Sequence, residues 1–110
     1  MEPGAIRHAR KLSATRSQHK YAFHSVIVQR GGATVATGYN HGEIHAEVNA
    51  LGKLWPDHRE GTKLWSIRVT PGGKLASAKP CNNCETYLRK YGVKLVIYSN
   101  AEGTLTRMKL

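Results

Sequence analysis

The motif His45-Ala46-Glu47 and the downstream run Pro80-Cys81-Asn82-Asn83-Cys84 restrict what this 110-residue chain can fold into. Cys81 and Cys84 are i and i+3, so they share one face of a helix, and Pro80 suits the start of that helix. His45 and Glu47 are i and i+2 and do not share a face along a helix barrel. They reach a common point only if it lies at the helix end. Residues 45–55 read as a helix that begins at the first motif and stops at Pro56-Asp57. The simplest arrangement that satisfies both spacings aims two helix N-termini at one site.

The residue types at that site are those of a catalytic zinc centre. Three protein ligands leave one position open for water and lower the pKa of that water toward ~7. His45, Cys81 and Cys84 supply an imidazole and two thiolates, and the thiolates balance the charge of Zn²⁺. Thiolates near a helix N-terminus also gain from the free N–H groups there. Glu47 is best left outside the shell as the group that takes a proton from water and passes it on. Simpler readings exist for each part. A C-x-x-C pair can be a thioredoxin-type redox centre, but no such context opens a βαβ unit here. It can be a disulfide in a secreted chain, but no apolar N-terminal stretch reads as a secretory signal. A lone histidine is usually an ordinary core or surface residue, and a lone glutamate a solvated helix residue. The combination in this order is the H-x-E…P-C-x-x-C pattern of zinc nucleobase deaminases.

The remainder of the chain reads as one domain, 1–110, with a basic helical region over 1–20 and a core over 21–110. Residues 4–16 suggest a helix, with Ile6, Ala9 and Leu12 as a weak apolar stripe. Residues 21–29 read as a strand, Gly31-Gly32 as a hairpin turn, and a second strand runs to about Gly38. Residues 64–70 form a third strand, broken by Pro71-Gly72-Gly73, with a loop over 74–79. A helix over 81–91, a strand over 94–98, a turn at 100–103 and a strand from 104 complete the order. A turn that short cannot carry a parallel crossover, so the last strand should run antiparallel to its neighbour.

The two motifs and this element order resemble the cytidine and deoxycytidylate deaminase superfamily, over roughly residues 21–98. The resemblance implies a three-layer α/β/α fold, here with a mixed five-stranded sheet whose last strand is antiparallel. It implies Zn²⁺ as cofactor, His45, Cys81 and Cys84 as ligands, and Glu47 as the catalytic proton carrier. It also implies that Asn40 contacts the sugar of a bound nucleotide, and that backbone groups at Ala46, Ser77 and Ala78 meet the base edge. The run over 46–51 looks like that of deoxycytidylate-type enzymes, in which Asn49 supports local hydrogen bonding. The antiparallel last strand is instead similar to free-cytidine enzymes and to some toxin-like or editing deaminases. The short loop before His45 leaves either an open pocket or one completed by a second copy, so a homo-oligomer is expected.

The implied activity is conversion of cytosine to uracil on a (deoxy)cytidine nucleoside or nucleotide. Alternatives are a cytosine in single-stranded DNA or RNA, and a silent, zinc-stabilised nucleic-acid-binding module, against which the presence of Glu47 argues. The formal net charge of +10 predicts attraction to phosphate, on a nucleotide or along a polymer. Its local clusters are residues 7–20 and 89–94. Tyr21, Phe23, Tyr39, Trp65 and Tyr87 are candidate stacking surfaces for the polymer reading, although strand positions point most of them to the core. No apolar run approaches the ~20 residues of a membrane span. Reduced cysteines used for zinc make the cytoplasm the expected compartment.

Overall fold

The computed structural model describes residues 3–15, 23–39 and 45–110. The first helix, α1 (Gly4–Thr15), places Ile6 and Ala9 one turn apart, and both are fully buried. The hairpin of β1 (Phe23–Arg30) and β2 (Ala33–Tyr39) turns at Gly31-Gly32, both with positive φ, as a tight two-residue loop demands. Then follow α2 (Ala46–Leu51), α3 (Pro56–Arg59), β3 (Lys63–Val69), β4 (Leu75–Ala76), α4 (Asn82–Lys90), β5 (Leu95–Ser99) and β6 (Leu105–Lys109).

The sheet order is β2-β1-β3-β5-β6, with β4 beside β3. Among the described residues only β3 and β5 pair in parallel, and α4 lies in the connection between them, as a parallel crossover requires. The last strand, β6, is antiparallel to β5, as its short turn predicts. The sheet has six strands rather than the expected five. The extra one falls in residues 74–79, which read as a loop. The Pro71–Gly73 turn folds the chain back so that Leu75 and Ala76 lie against Val69 and Arg68. Two residues are too few to show a period in sequence.

The helix expected over 45–55 also divides. Pro56 has no N–H to donate, and its ring would collide with the carbonyl of Gly52 if the helix continued. The chain leaves α2 at Leu51 and restarts with Pro56 in the first turn of α3. Trp55, between them, is 76% exposed.

Alternation along the strands separates two apolar layers. Ile67 and Val69 pack with Ile6 and Ala9 of α1 on one face. Val26, Val28, Leu64 and Val96 pack with Ala46, Ala50 and Leu51 of α2 and Leu88 of α4 on the other. The two motif helices therefore share one face, and α1 covers the opposite one. None of the described helices is long and apolar enough to cross a membrane.

Gly38 fixes how closely α2 approaches the sheet. A Cβ there would lie 2.5 Å from the Ala50 amide nitrogen and 2.8 Å from the Ala46 carbonyl oxygen, both backbone atoms. The Asn49 side chain reinforces the contact by accepting the Tyr39 N–H at 3.3 Å, and Lys53 Nζ donates to the Thr37 carbonyl at 2.7 Å. Gly38→Ala should therefore destabilise the protein by about 1–3 kcal/mol through overpacking, seen as a lower urea midpoint with an unchanged slope.

Candidate metal and proton-transfer site

His45 is the residue immediately before α2, in an extended conformation, and its side chain caps nothing in the helix. That leaves the imidazole free to project past the helix end. Glu47 follows in the first turn and is turned inward, only 2% exposed. Cys81 is the residue immediately before α4, with Pro80 just ahead of it rather than inside the helix. The Cys84 N–H donates to Cys81 Sγ at 3.4 Å, so a sulfur occupies the capping place usually held by an oxygen.

These two helix starts meet. His45 Nδ1 lies 3.9 Å from Cys84 Sγ. One ligand atom from each of His45, Glu47 and Cys84 lies within 4.8 Å of the other two. Cys81 is exposed and stands beside this group without being one of its three converging residues. The two thiols have opposite electrostatics. The Cys84 amide favours the Cys81 thiolate and lowers its pKa. Burial, followed by the contact with Glu47, raises that of Cys84.

Behind Glu47 lies a buried polar chain that the sequence motifs did not single out. His24 on β1 places Nε2 at 3.4 Å from Glu47 Oε1 and 2.8 Å from Ser66 Oγ on β3. Ser66 Oγ donates to the Ala78 carbonyl at 2.9 Å. Burial, the largest influence, holds the His24 pKa down to about 4, against the opposing pull of Glu47 and with help from Arg68. Glu47 Oε1 is shielded from solvent with no hydrogen-bond partner, and so is Nε of Arg68. The sequence signal for His24 was available only in retrospect: a polar residue at an inward position of an otherwise apolar strand.

The expected base-binding positions divide. Ala46 is fully buried at the first turn of α2, and Ser77 is exposed between β4 and Pro80. Ala78 is buried with its N–H donated to the Ser99 carbonyl at 2.8 Å and its carbonyl taken by Ser66. Both of its backbone polar groups are engaged within the fold. Asn40 and Tyr21 lie outside the described residues. Phe23 is core and stacks on Tyr39 at 5.7 Å, while Trp65 packs toward α1 and donates to Gln29 at 2.9 Å. Tyr87 and Tyr91 pack together with ring centroids 4.2 Å apart and planes tilted by 35°.

The comparisons agree with this geometry. The profile of the family described as "Cytidine and deoxycytidylate deaminase zinc-binding region" matches residues 4–100. The chain belongs to that family. Among solved structures, dCMP deaminase from the cyanophage S-TIM5 is similar in its apo form, with a TM-score of 0.55 and 25% identity over 92% of this chain and 86% of that one. The same phage enzyme in complex with dCMP and dUMP gives 0.55 and 24% over 92% and 85%. RibD from Acinetobacter baumannii gives 0.63 and 16% over 87% of this chain, which spans only 27% of that protein. No protein of curated function is significantly similar in sequence.

As a zinc-type deaminase domain, the chain carries a donor set that suits the metal. One imidazole and two thiols are soft-to-borderline ligands, and the convergence of the imidazole and one thiol, Cys84, with a buried carboxylate has no counterpart elsewhere among the described residues. His45, Cys81 and Cys84 are the residues that would hold it. The purified protein should contain one zinc per chain by elemental analysis. Cys84→Ala should lose most of that zinc and unfold at lower temperature, because binding and folding are coupled. A chelator should lower the melting temperature of the wild type and leave that of Cys84→Ala nearly unchanged.

Proposed function

We propose that the chain hydrolyses the exocyclic amine of cytosine on a pyrimidine nucleoside or nucleotide, releasing ammonia and leaving uracil. The observation that carries this reading is a 2%-exposed carboxylate, Glu47, within 4.8 Å of an imidazole and a thiol at two facing helix starts. Zinc held by His45, Cys81 and Cys84 would supply a nucleophilic water near neutral pH. Glu47 takes the proton of the attacking water and delivers it to the ring nitrogen and then to the departing amine. Its Oε1 is walled in against His24, which leaves Oε2 to exchange the proton. His45 and the two cysteines hold fixed positions because each sits at or within one turn of a helix start.

A small, phosphate-bearing substrate is favoured over a strand of nucleic acid by the location of the charge. The basic side of α1 lies across the sheet from the site, and Arg10 donates to the Gly73 carbonyl there. Arg89 and Lys90 are in the last turn of α4, a nine-residue helix, so they lie about 13 Å from its motif end. Arg89 is also paired with Glu85 at 2.7 Å. Among the described residues, neither Arg10 nor the Arg89–Lys90 pair flanks Glu47 as a strand track would. The phage neighbour with dCMP and dUMP lends the nucleotide reading further weight.

The deciding assay follows deamination by mass spectrometry with zinc-loaded protein. Deoxycytidine, its mono- and triphosphate, cytidine and a cytosine-bearing single-stranded oligonucleotide are compared side by side. Turnover of a nucleoside or nucleotide, reduced at least 10²–10⁴-fold, roughly the worth of a positioned proton carrier, in Glu47→Ala with zinc retained, is expected. Turnover of the oligonucleotide alone would replace the small-molecule reading. Full activity in Glu47→Ala would remove the assigned proton role.

A further inference from the structure

We propose that His24 is a positioning residue for Glu47, fixing the carboxylate from behind and linking it through Ser66 to the segment that leads into the second motif. The inference rests on the proton-transfer role assigned to Glu47 above, and nothing in the two motifs requires it.

The argument begins with one hydroxyl proton. Ser66 Oγ is fully buried and donates its only hydrogen to the Ala78 carbonyl at 2.9 Å. Toward His24 Nε2, at 2.8 Å, it can then only accept. The imidazole must carry its proton on Nε2. That same edge of the ring faces Glu47 Oε1 at 3.4 Å, an oxygen with no hydrogen-bond partner of its own. A bare Nε2 would instead set two lone pairs against each other in a site closed to water. One tautomer therefore satisfies Ala78 and Ser66 and turns the same N–H edge toward Glu47. The N–H points along the shorter contact to Ser66 and presents its positive edge to the carboxylate.

The character of the partner also fits the task. A cation behind Glu47 would hold the carboxylate ionised and oppose its protonated stage in each cycle. Burial and the nearby Arg68 keep His24 neutral well below neutral pH, with its pKa pushed down to about 4. A neutral dipole orients the carboxylate without placing a charge behind it. The other end of the chain matters too. Ala78 is held by Ser66 on one side and by the Ser99 carbonyl on the other, three residues ahead of Cys81. The network ties the Glu47 side of the site to the cysteine side through the sheet rather than through the metal.

The test compares His24→Gln, His24→Asn, His24→Leu and Ser66→Ala with the wild type. Glutamine can place an amide N–H where Nε2–H stands; asparagine is too short, and leucine has no donor. Leu and Asn should lower kcat about 10–100-fold, the usual cost of losing a supporting partner, with KM within about threefold and zinc content unchanged. Gln should recover most of the rate. If Leu does not fold, the Gln–Asn contrast decides.

A second readout needs no turnover. Long-range ¹H–¹⁵N spectra of the zinc-loaded protein should show the proton on Nε2, and Glu47→Gln should shift that resonance. Wild-type rates in Leu and Asn, or a proton on Nδ1, would overturn the proposal. Should the wild type deaminate no cytosine substrate, the assigned reaction fails, while the tautomer and its response to Glu47→Gln still decide whether His24 holds the carboxylate.

Discussion

The backbone of α2 rests on that of β2 at Gly38, and the geometry of the site depends on that contact. Any side chain at position 38 would occupy the space of the Ala46 carbonyl and the Ala50 amide. With the side chain absent, the helix sits low on the sheet, and Asn49 and Lys53 pin it there. The depth matters because His45 and Glu47 are only two residues apart. Raised by one side-chain layer, the helix start would carry both away from Cys84. At its observed depth, Glu47 reaches past the helix end to the same point as a cysteine from α4. The second helix is positioned by a different constraint, the parallel pairing of β3 with β5, whose crossover it must span.

The interior of the site is organised around keeping one carboxylate dry and oriented. Burying Glu47 to 2% exposure is costly unless its oxygens find compensation. On one side it meets the Cys84 thiol and the His45 imidazole, donors suited to a divalent cation. On the other it meets the neutral edge of His24, itself satisfied by Ser66. The unequal thiols follow the same logic. Cys81 is exposed and served by a backbone N–H, while Cys84 is more buried and faces the carboxylate, so its charge depends more heavily on a cation.

The charge of the molecule has a different geography from its chemistry. A basic first helix suggests a nucleic-acid track when only sequence is considered. Across the sheet, its Arg10 braces the β3–β4 turn instead. The net charge of +10 is a property of the whole chain.

The sequence by itself determined the order of almost all elements and singled out the residues of the candidate site, because these are written in local spacing. Two helix starts, a glycine hairpin and a four-residue final turn each constrain only their near neighbours, and each appears as expected. The Ile6–Ala9 stripe is legible for the same reason. Tertiary structure alone decided what depends on separate strands lying side by side. The two-residue strand β4 exists only because a turn folds it onto β3, and α2 ends early because Pro56 acts four residues upstream. Ala78 looks like a free backbone contact until Ser66 and Ser99 claim it. His24 looks like one polar residue among many until β1 and β3 pair. Their register brings the imidazole to Ser66 and Glu47, and no local pattern in the chain encodes that meeting.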